Sequence, residues 1–258
     1  MAPLHRNPPG NRISGGRHDV APADDGALAF VQRAEMRDGW LHPQASNYTF
    51  VVELGDEERC GFGVYKPQAG EAPLWDFPPG LYTRECAAYE LSRALGWRIV
   101  PPTVVREGEA GVGSLQLYVP PAEGSNFFTM RETHEAELVR MAVFDLVVNN
   151  ADRKGSHCFA GAAGGVWGVD HGLTFHESRK LRTVIWDYAG RTVAEALLQD
   201  LACAVEMLSD ASSEISRSLG ELLAPREVDA LGSRLRALMD DPVLPSPYSR
   251  RDLPWPWL

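Results

Sequence analysis

The sequence predicts an α+β fold in which a strand-rich first half precedes a mainly helical second half. Three observations carry this. β-Branched and aromatic residues crowd 48–54 and 60–65 around the turn pair Gly55-Asp56. Apolar residues recur at helical spacing within 84–95, 192–207, 212–223 and 225–239. Between the halves, the strand expected over 113–119 runs into Pro120-Pro121, where the backbone has to change direction.

Composition narrows the function. The 258 residues suffice for one domain of two lobes or for two small domains. A net charge of -10 repels phosphates at long range, so a nucleic-acid partner is not expected. No run approaches the length of a transmembrane helix, and residues 1–20 lack the apolar core of a signal peptide. Cys60, Cys86, Cys158 and Cys203 are far apart and form no Cys-x-x-Cys pair, which fits reduced thiols and a cytoplasmic location.

Taken in order, residues 1–27 mix prolines, glycines and charges and are expected to be a disordered arm. Residues 27–34 fit a short helix or an edge strand, and 35–40 begin the sheet. Strands follow over 48–54 and 60–65, the second ending in Lys66. The Pro/Gly-rich stretch 68–82 is an extended loop whose Trp75 and Phe77 either pin it to the body or stand exposed for a partner. Thr83 is the expected cap of a helix over 84–95 that Gly96 stops. Two more strands are expected over 99–105 and 113–119. Thr133 would cap a helix to Val148, with Glu135 and Glu137 in its first turn where the helix dipole favours acids. Asp145, inside that apolar helix, is costly unless hydrogen-bonded and is read as a support for the loop that follows. The tail 242–258, with five prolines, Trp255 and Trp257, is extended; its tryptophans either dock on the body or meet a partner.

The segment 144–175 concentrates the chemistry. An apolar run leads into Asn149, Asn150, Asp152, Arg153 and Lys154, then a glycine-rich hairpin, then Asp170-His171-Gly172. Phosphoryl transfer needs one carboxylate to orient and deprotonate the attacking group and a second to hold a divalent cation on the nucleotide phosphates. Asp152 fits the first role and Asp170 the second. Kinase catalytic loops place a metal-binding asparagine five residues after the catalytic aspartate, and the next strand ends in Asp-x-Gly. Here the fifth residue after Asp152 is His157.

Together, Asn150-Ala151-Asp152-Arg153-Lys154, Val169-Asp170-His171-Gly172, Val64-Tyr65-Lys66-Pro67 and Arg84-Glu85-Cys86-Ala87-Ala88-Tyr89 resemble the phosphatidylinositol 3-/4-kinase-like superfamily. The nearest likeness is to an actinobacterial group of unknown substrate, and more distantly to plant ubiquitin-like type 4-kinases and HipA-type kinases; it runs from about Trp40 to Gly190. The resemblance implies a bilobal protein-kinase-like fold, with an N-lobe over 28–121 and a C-lobe over 122–241. It implies ATP and Mg2+, with Mn2+ the alternative ion, and assigns Lys66 to the phosphates. Glu85 would pair with Lys66, with Glu90 the reserve. The loop 43–47 would approach phosphate through Ser46 and Asn47. Gln116, Leu117, Tyr118 and Val119 fall at the hinge, where the last three meet the adenine, and His157 and Asp170 would hold the metal.

The expected activity is transfer of the γ-phosphoryl group of ATP to a hydroxyl on a protein or small molecule, with lipid a third option. The basic run Arg179, Lys180, Arg182 and Arg191 lies where substrates dock in kinases. His157 in the asparagine position keeps a second reading open, a nucleotide-binding pseudokinase. A third is a metal-dependent hydrolase built on Asp152, Asp170, His157, His171 and His176.

Overall fold

The computed structural model describes residues 18–41 and 48–258. The fold is mixed α+β, β-rich at the N-terminal side and helical at the C-terminal side, as expected. It divides into two compact units, one of residues 1–86 and 101–119, the other of 87–100 and 120–258. The cuts fall after Cys86, after Val100 and after Val119, so 87–100, expected within the first lobe, belong with the second unit.

In the first unit, β1 (His18–Asp19), β2 (Glu35–Leu41), β3 (Phe50–Gly55), β4 (Arg59–Pro67), β5 (Thr103–Gly108) and β6 (Gly111–Leu117) form one sheet in the order β2-β3-β4-β6-β5, with β1 pairing β4 in parallel. Helix α1 (Ala27–Arg33) packs Phe30 and Val31 into a core with Val52, Leu54, Tyr65, Leu115 and Leu117. Each such side chain, fully buried, stabilises the fold by about 1.5–3 kcal/mol. Arg106 fastens α1 to the sheet by donating to the carbonyls of Val31 (2.8 Å), Gln32 (2.9 Å) and Ala34 (3.2 Å).

The expected disordered arm is shorter than 1–27 among the described residues. Strand β1 and the turn bonds Val20 N to Cys60 O (3.0 Å) and Asp24 N to Ala21 O (3.0 Å) order the chain from His18, because a sheet partner meets backbone groups whatever the composition. The expected arm over 1–17 lies outside the described residues.

Helix α2 (Leu81–Ala94) begins earlier than predicted. Thr83 lies inside it, its hydroxyl donating to Gly80 O at 2.9 Å, so it is not the cap; Gly96 stops the helix with φ 69° as expected. In the loop before it, Phe77 is buried under the Arg84 guanidinium, 5.8 Å from the ring centre, whereas Trp75 is 95% exposed.

The second unit is built on α4 (Glu135–Val148), preceded by the single turn α3 (Phe127–Met130). His134, not Thr133, precedes the first residue of α4. Leu138, Met141, Phe144, Val147 and Val148 are buried, as its apolar pattern demanded. Helices α5 (Glu195–Ser209), α6 (Glu214–Leu222) and α7 (Pro225–Asp240) complete the helical body, Leu201, Leu219, Leu231 and Leu235 forming its core. A two-stranded ribbon, β7 (Cys158–Ala160) with β8 (Val166–Gly168), holds the segment that carries the polar residues.

Candidate active site

In the first unit, Lys66 lies in β4 and Glu85 in the first turns of α2. Lys66 Nζ meets Glu85 Oε1 at 2.5 Å, with the lysine side chain 28% exposed and the glutamate 4%. Glu90, the reserve partner, is instead held by Arg93 at 2.8 Å. Register places Lys66 opposite Ser114 and Val64 opposite Gln116, whose amide donates to Thr103 Oγ1 at 2.8 Å. The Leu117 amide donates to Pro102 O and the Tyr118 amide to Phe62 O, both at 2.8 Å. Gln116 is thus fixed within the sheet, as are the amides of Leu117 and Tyr118. Tyr118 is half-buried, which pushes its phenol up; Val119 is buried. Ser46 and Asn47 lie outside the described residues.

In the second unit the β7-β8 ribbon brings Asp152, His157 and Asp170 together. Pairing of Cys158 with Gly168 sets His157 and Val169 side by side, and Val169 N donates to His157 O at 3.0 Å. His157 Nε2 then lies 3.3 Å from Asp170 Oδ2, and its Nδ1 lies 3.1 Å from Asp152 O. Burial pushes the Asp152 carboxyl above the usual range; Lys154, 3.1 Å from Oδ2, works against this and Asp170 adds to it. A carboxyl raised toward neutrality can exchange a proton, which suits a general base.

The support beneath these groups is a buried ion pair. Arg153, fully buried, donates to both oxygens of Asp145 at 2.9–3.2 Å and through Nη1 to the carbonyls of His157 (3.0 Å) and Val169 (2.9 Å). One guanidinium therefore fixes the backbone beside both His157 and Asp170. Asn150 completes the node, donating to Asp145 Oδ1 and accepting from Asp152 N, each at 3.0 Å. Asn149 holds the following segment, donating to His176 O and Ser178 O and accepting from Lys180 N. The sequence reading made Asp145 a support but assigned Arg153 no role. The available signal was an acid in an apolar helix, which needs a buried cation as partner.

Asn149, Asp170 and Phe175 have φ of 55°, 60° and 61°, a conformation side chains other than glycine rarely adopt. For Phe175, fully buried, it is strain of the kind that gathers at functional sites. Cys158 is an inert packing thiol whose burial pushes it up to about 12.

The tail docks on this body. Thr192 bridges Val243, Gly190 N donates to Leu244 O, and Asp252 accepts from Tyr248 N at 2.7 Å while its own carbonyl accepts from Thr183 N. Trp257 O accepts from Gly155 N at 2.7 Å; a Cβ at Gly155 would lie 2.6 Å from the Phe128 ring, so only glycine fits there. Trp255 stays 84% exposed. Part of the expected basic docking run is used internally: Arg179 pairs with Asp252 and covers the Tyr248 ring, and Arg191 pairs with Glu135.

Of the five residues of the hydrolase reading, Asp152, His157 and Asp170 lie together. Among the described residues no three of His, Cys, Asp and Glu converge as a metal cluster, and His171 is fully buried, its Nε2 2.7 Å from Arg153.

The fold is that of atypical kinases. Over 83% of the chain it is similar to the Golgi casein kinase (TM-score 0.55, 14% identity, 72% of that chain) and to hydra Fam20 with sugar (TM-score 0.52, 14% identity, 86% of that chain). It is likewise similar to the Golgi casein kinase with Mn/ADP bound (TM-score 0.54, 15% identity, 83% of this chain and 74% of that one). No family model matches the sequence. Protein Rv2133c of Mycobacterium tuberculosis (strain ATCC 25618 / H37Rv) is 40% identical over 249 residues, spanning 82% of this chain and 88% of its own, and the chain belongs to the family of that protein.

Proposed function

We propose that the chain is an ATP-dependent phosphotransferase, an atypical kinase of the phosphatidylinositol 3-/4-kinase-like kind, acting in the cytoplasm. It transfers the γ-phosphoryl group to a hydroxyl of a protein or small molecule; a lipid acceptor is the third choice, because no helix among the described residues is long and apolar enough to cross a membrane and no cluster of four to eight basic residues marks a lipid surface. The observation that carries the reading is the assembly of Asp152, His157 and Asp170 on one buried Arg153–Asp145 node, in a fold shared with a kinase whose structure holds Mn and ADP.

Lys66 neutralises the α- and β-phosphates and Glu85 orients it. Val119 offers its amide to the adenine, since those of Leu117 and Tyr118 are engaged in the sheet. Ser46 and Asn47 approach the phosphates. Asp152 orients the acceptor hydroxyl and accepts its proton. Asp170 and His157 are the residues that fit a divalent ion, one oxygen and one nitrogen 3.3 Å apart. When bound, such an ion offsets the phosphate charge during transfer.

The test is incubation with γ-labelled and, separately, α-labelled ATP with Mg2+ or Mn2+, for the wild type and for Asp152→Ala, Asp170→Ala and Lys66→Ala. Label from γ alone, lost in all three variants, is the expected result. Label from α would mean nucleotidyl transfer. Nucleotide-dependent thermal stabilisation without transfer would establish the pseudokinase that His157 suggests.

A further inference from the structure

We infer that the tail segment 248–257 is a positioning element of the reaction, in which Asp252 and the Trp257 carbonyl hold the loop that carries Asp152; the inference rests on the kinase reading. On one side that loop lies beside 182–184. Arg182 N donates to Asn150 O at 2.8 Å, Arg153 N to Arg182 O at 2.9 Å and Val184 N to Arg153 O at 3.1 Å. These bonds bracket Asp152, so a shift of 182–184 would carry the carboxylate with it.

The pairing between the two stretches is a single bridge, Arg153 with Thr183, and so short a ladder needs support from its other edge. The tail supplies it. Thr183 N, pointing away from the loop, donates to Asp252 O at 3.1 Å, and Trp186 Nε1 donates to the same oxygen at 3.2 Å. The middle stretch is thereby bonded on both sides, to the loop and to the tail.

The tail is itself held at this point. Asp252 is 8% exposed; its carboxylate accepts from Tyr248 N at 2.7 Å and pairs with Arg179 at 3.4 Å, and the Arg179 guanidinium lies 4.4 Å from the centre of the Tyr248 ring. A carboxylate that gathers an amide and a guanidinium closes the turn 248–252 and aims the Asp252 carbonyl at Thr183. Five residues on, the tail meets the loop directly, where Gly155 N donates to Trp257 O at 2.7 Å. A Cβ at 155 would lie 2.6 Å from the Phe128 ring and 3.1 Å from Leu258, so this approach requires glycine.

The loop is therefore fixed from within by the Arg153–Asp145 pair and from the tail by two contacts, one acting through Thr183 and one at Gly155. An aspartate that orients an acceptor hydroxyl works only in a narrow range of positions, and a displacement of about 1 Å can cost roughly 10²-fold in rate. None of the tail bonds named here involves Lys66, Glu85 or Asp170, the residues proposed for ATP and its metal. Loosening the tail should accordingly lower the maximal rate and leave the half-saturating ATP concentration unchanged.

The experiment combines hydrogen exchange of 150–157 in the full chain, read by mass spectrometry, with γ-phosphoryl transfer from labelled ATP with Mn2+, to the chain itself and to water, measured against ATP concentration. In Asp252→Ala, exchange of 150–157 should quicken roughly 10-fold or more and the maximal rate fall roughly 10- to 100-fold, at unchanged half-saturating ATP. Asp252→Asn, whose amide oxygen can still accept from Tyr248 N, should recover most of both. If Asp252→Ala fails to fold, Trp186→Phe decides by the same two measurements, because it keeps a ring and loses one donor to Asp252 O; quickened exchange and a lowered maximal rate are expected. Unchanged exchange and rate in the variant that folds would overturn the inference and leave the kinase reading standing. A maximal rate that rises would also overturn it and make the tail a cover over the loop. No transfer by the wild type would overturn the kinase reading, and the inference with it, even where exchange quickens.

Discussion

Two ion pairs, one in each unit, show how the same chemistry serves different ends. Lys66–Glu85 keeps its lysine 28% exposed, whereas Arg153–Asp145 is sealed at 0% and 1%. An exposed cation can trade partners and take up an anion from solution. The sealed guanidinium has carbonyl and carboxylate acceptors on every arm, so it fixes backbone and can do nothing else. Removing one partner of a sealed pair strands a charge where water cannot reach it. The first pair is partly open to solvent and the second is sealed into the scaffold, and substitutions should separate them.

The largest expected effect is Asp145→Ala, which strands Arg153 and should cost about 3–5 kcal/mol in chemical denaturation. A loss below about 1 kcal/mol would contradict the reading of Arg153–Asp145 as the scaffold. Asp152→Asn sharpens the contrast from the other side: transfer should fall by about 10²–10⁴ while the melting temperature holds or rises. The sign follows from burial. Because the folded carboxyl titrates above its unfolded value, its ionised form opposes folding, and stability declines as pH rises from the unfolded through the folded pKa.

Lys66→Met should abolish transfer yet cost only about 1–2 kcal/mol, since its lysine is part-exposed while Glu85 is buried. Asp252→Ala should cost about 1–2 kcal/mol by releasing Tyr248 and Arg179, with limited proteolysis reporting a loosened tail. Asp252 is held below the usual range: burial opposes this, but the Tyr248 amide and Arg179 prevail. Its contribution is therefore present above the unfolded pKa and lost as pH falls through the folded one. The smallest effect is Lys154→Met. Lys154 lowers the Asp152 pKa against burial, so its loss should move the acid limb of the kcat/KM profile to higher pH.

What the sequence made legible was local. Strands β3 and β4 were visible in crowded aromatic and β-branched residues, and α4 in its apolar pattern. The grouping of Asp152, His157 and Asp170 along 144–175 was visible in the sequence, and the ribbon between them supplies the register that unites them. Partnerships across long separations were not readable. Nothing in periodicity says that Arg153 is buried against Asp145, that Asp252 captures Arg179, or that a proline-rich tail ends against Gly155. Thr83 misled because a hydroxyl near a helix start suits both a cap and an internal bond, and here the Gly80 carbonyl wins.

Calorimetric titration of ATP with Mn2+ tests the central assignment most directly. Binding to the wild type, lost in Lys66→Met and in Asp170→Asn while both variants keep a cooperative melt, is the result predicted. ATP bound equally well by all three, or by none, would contradict it.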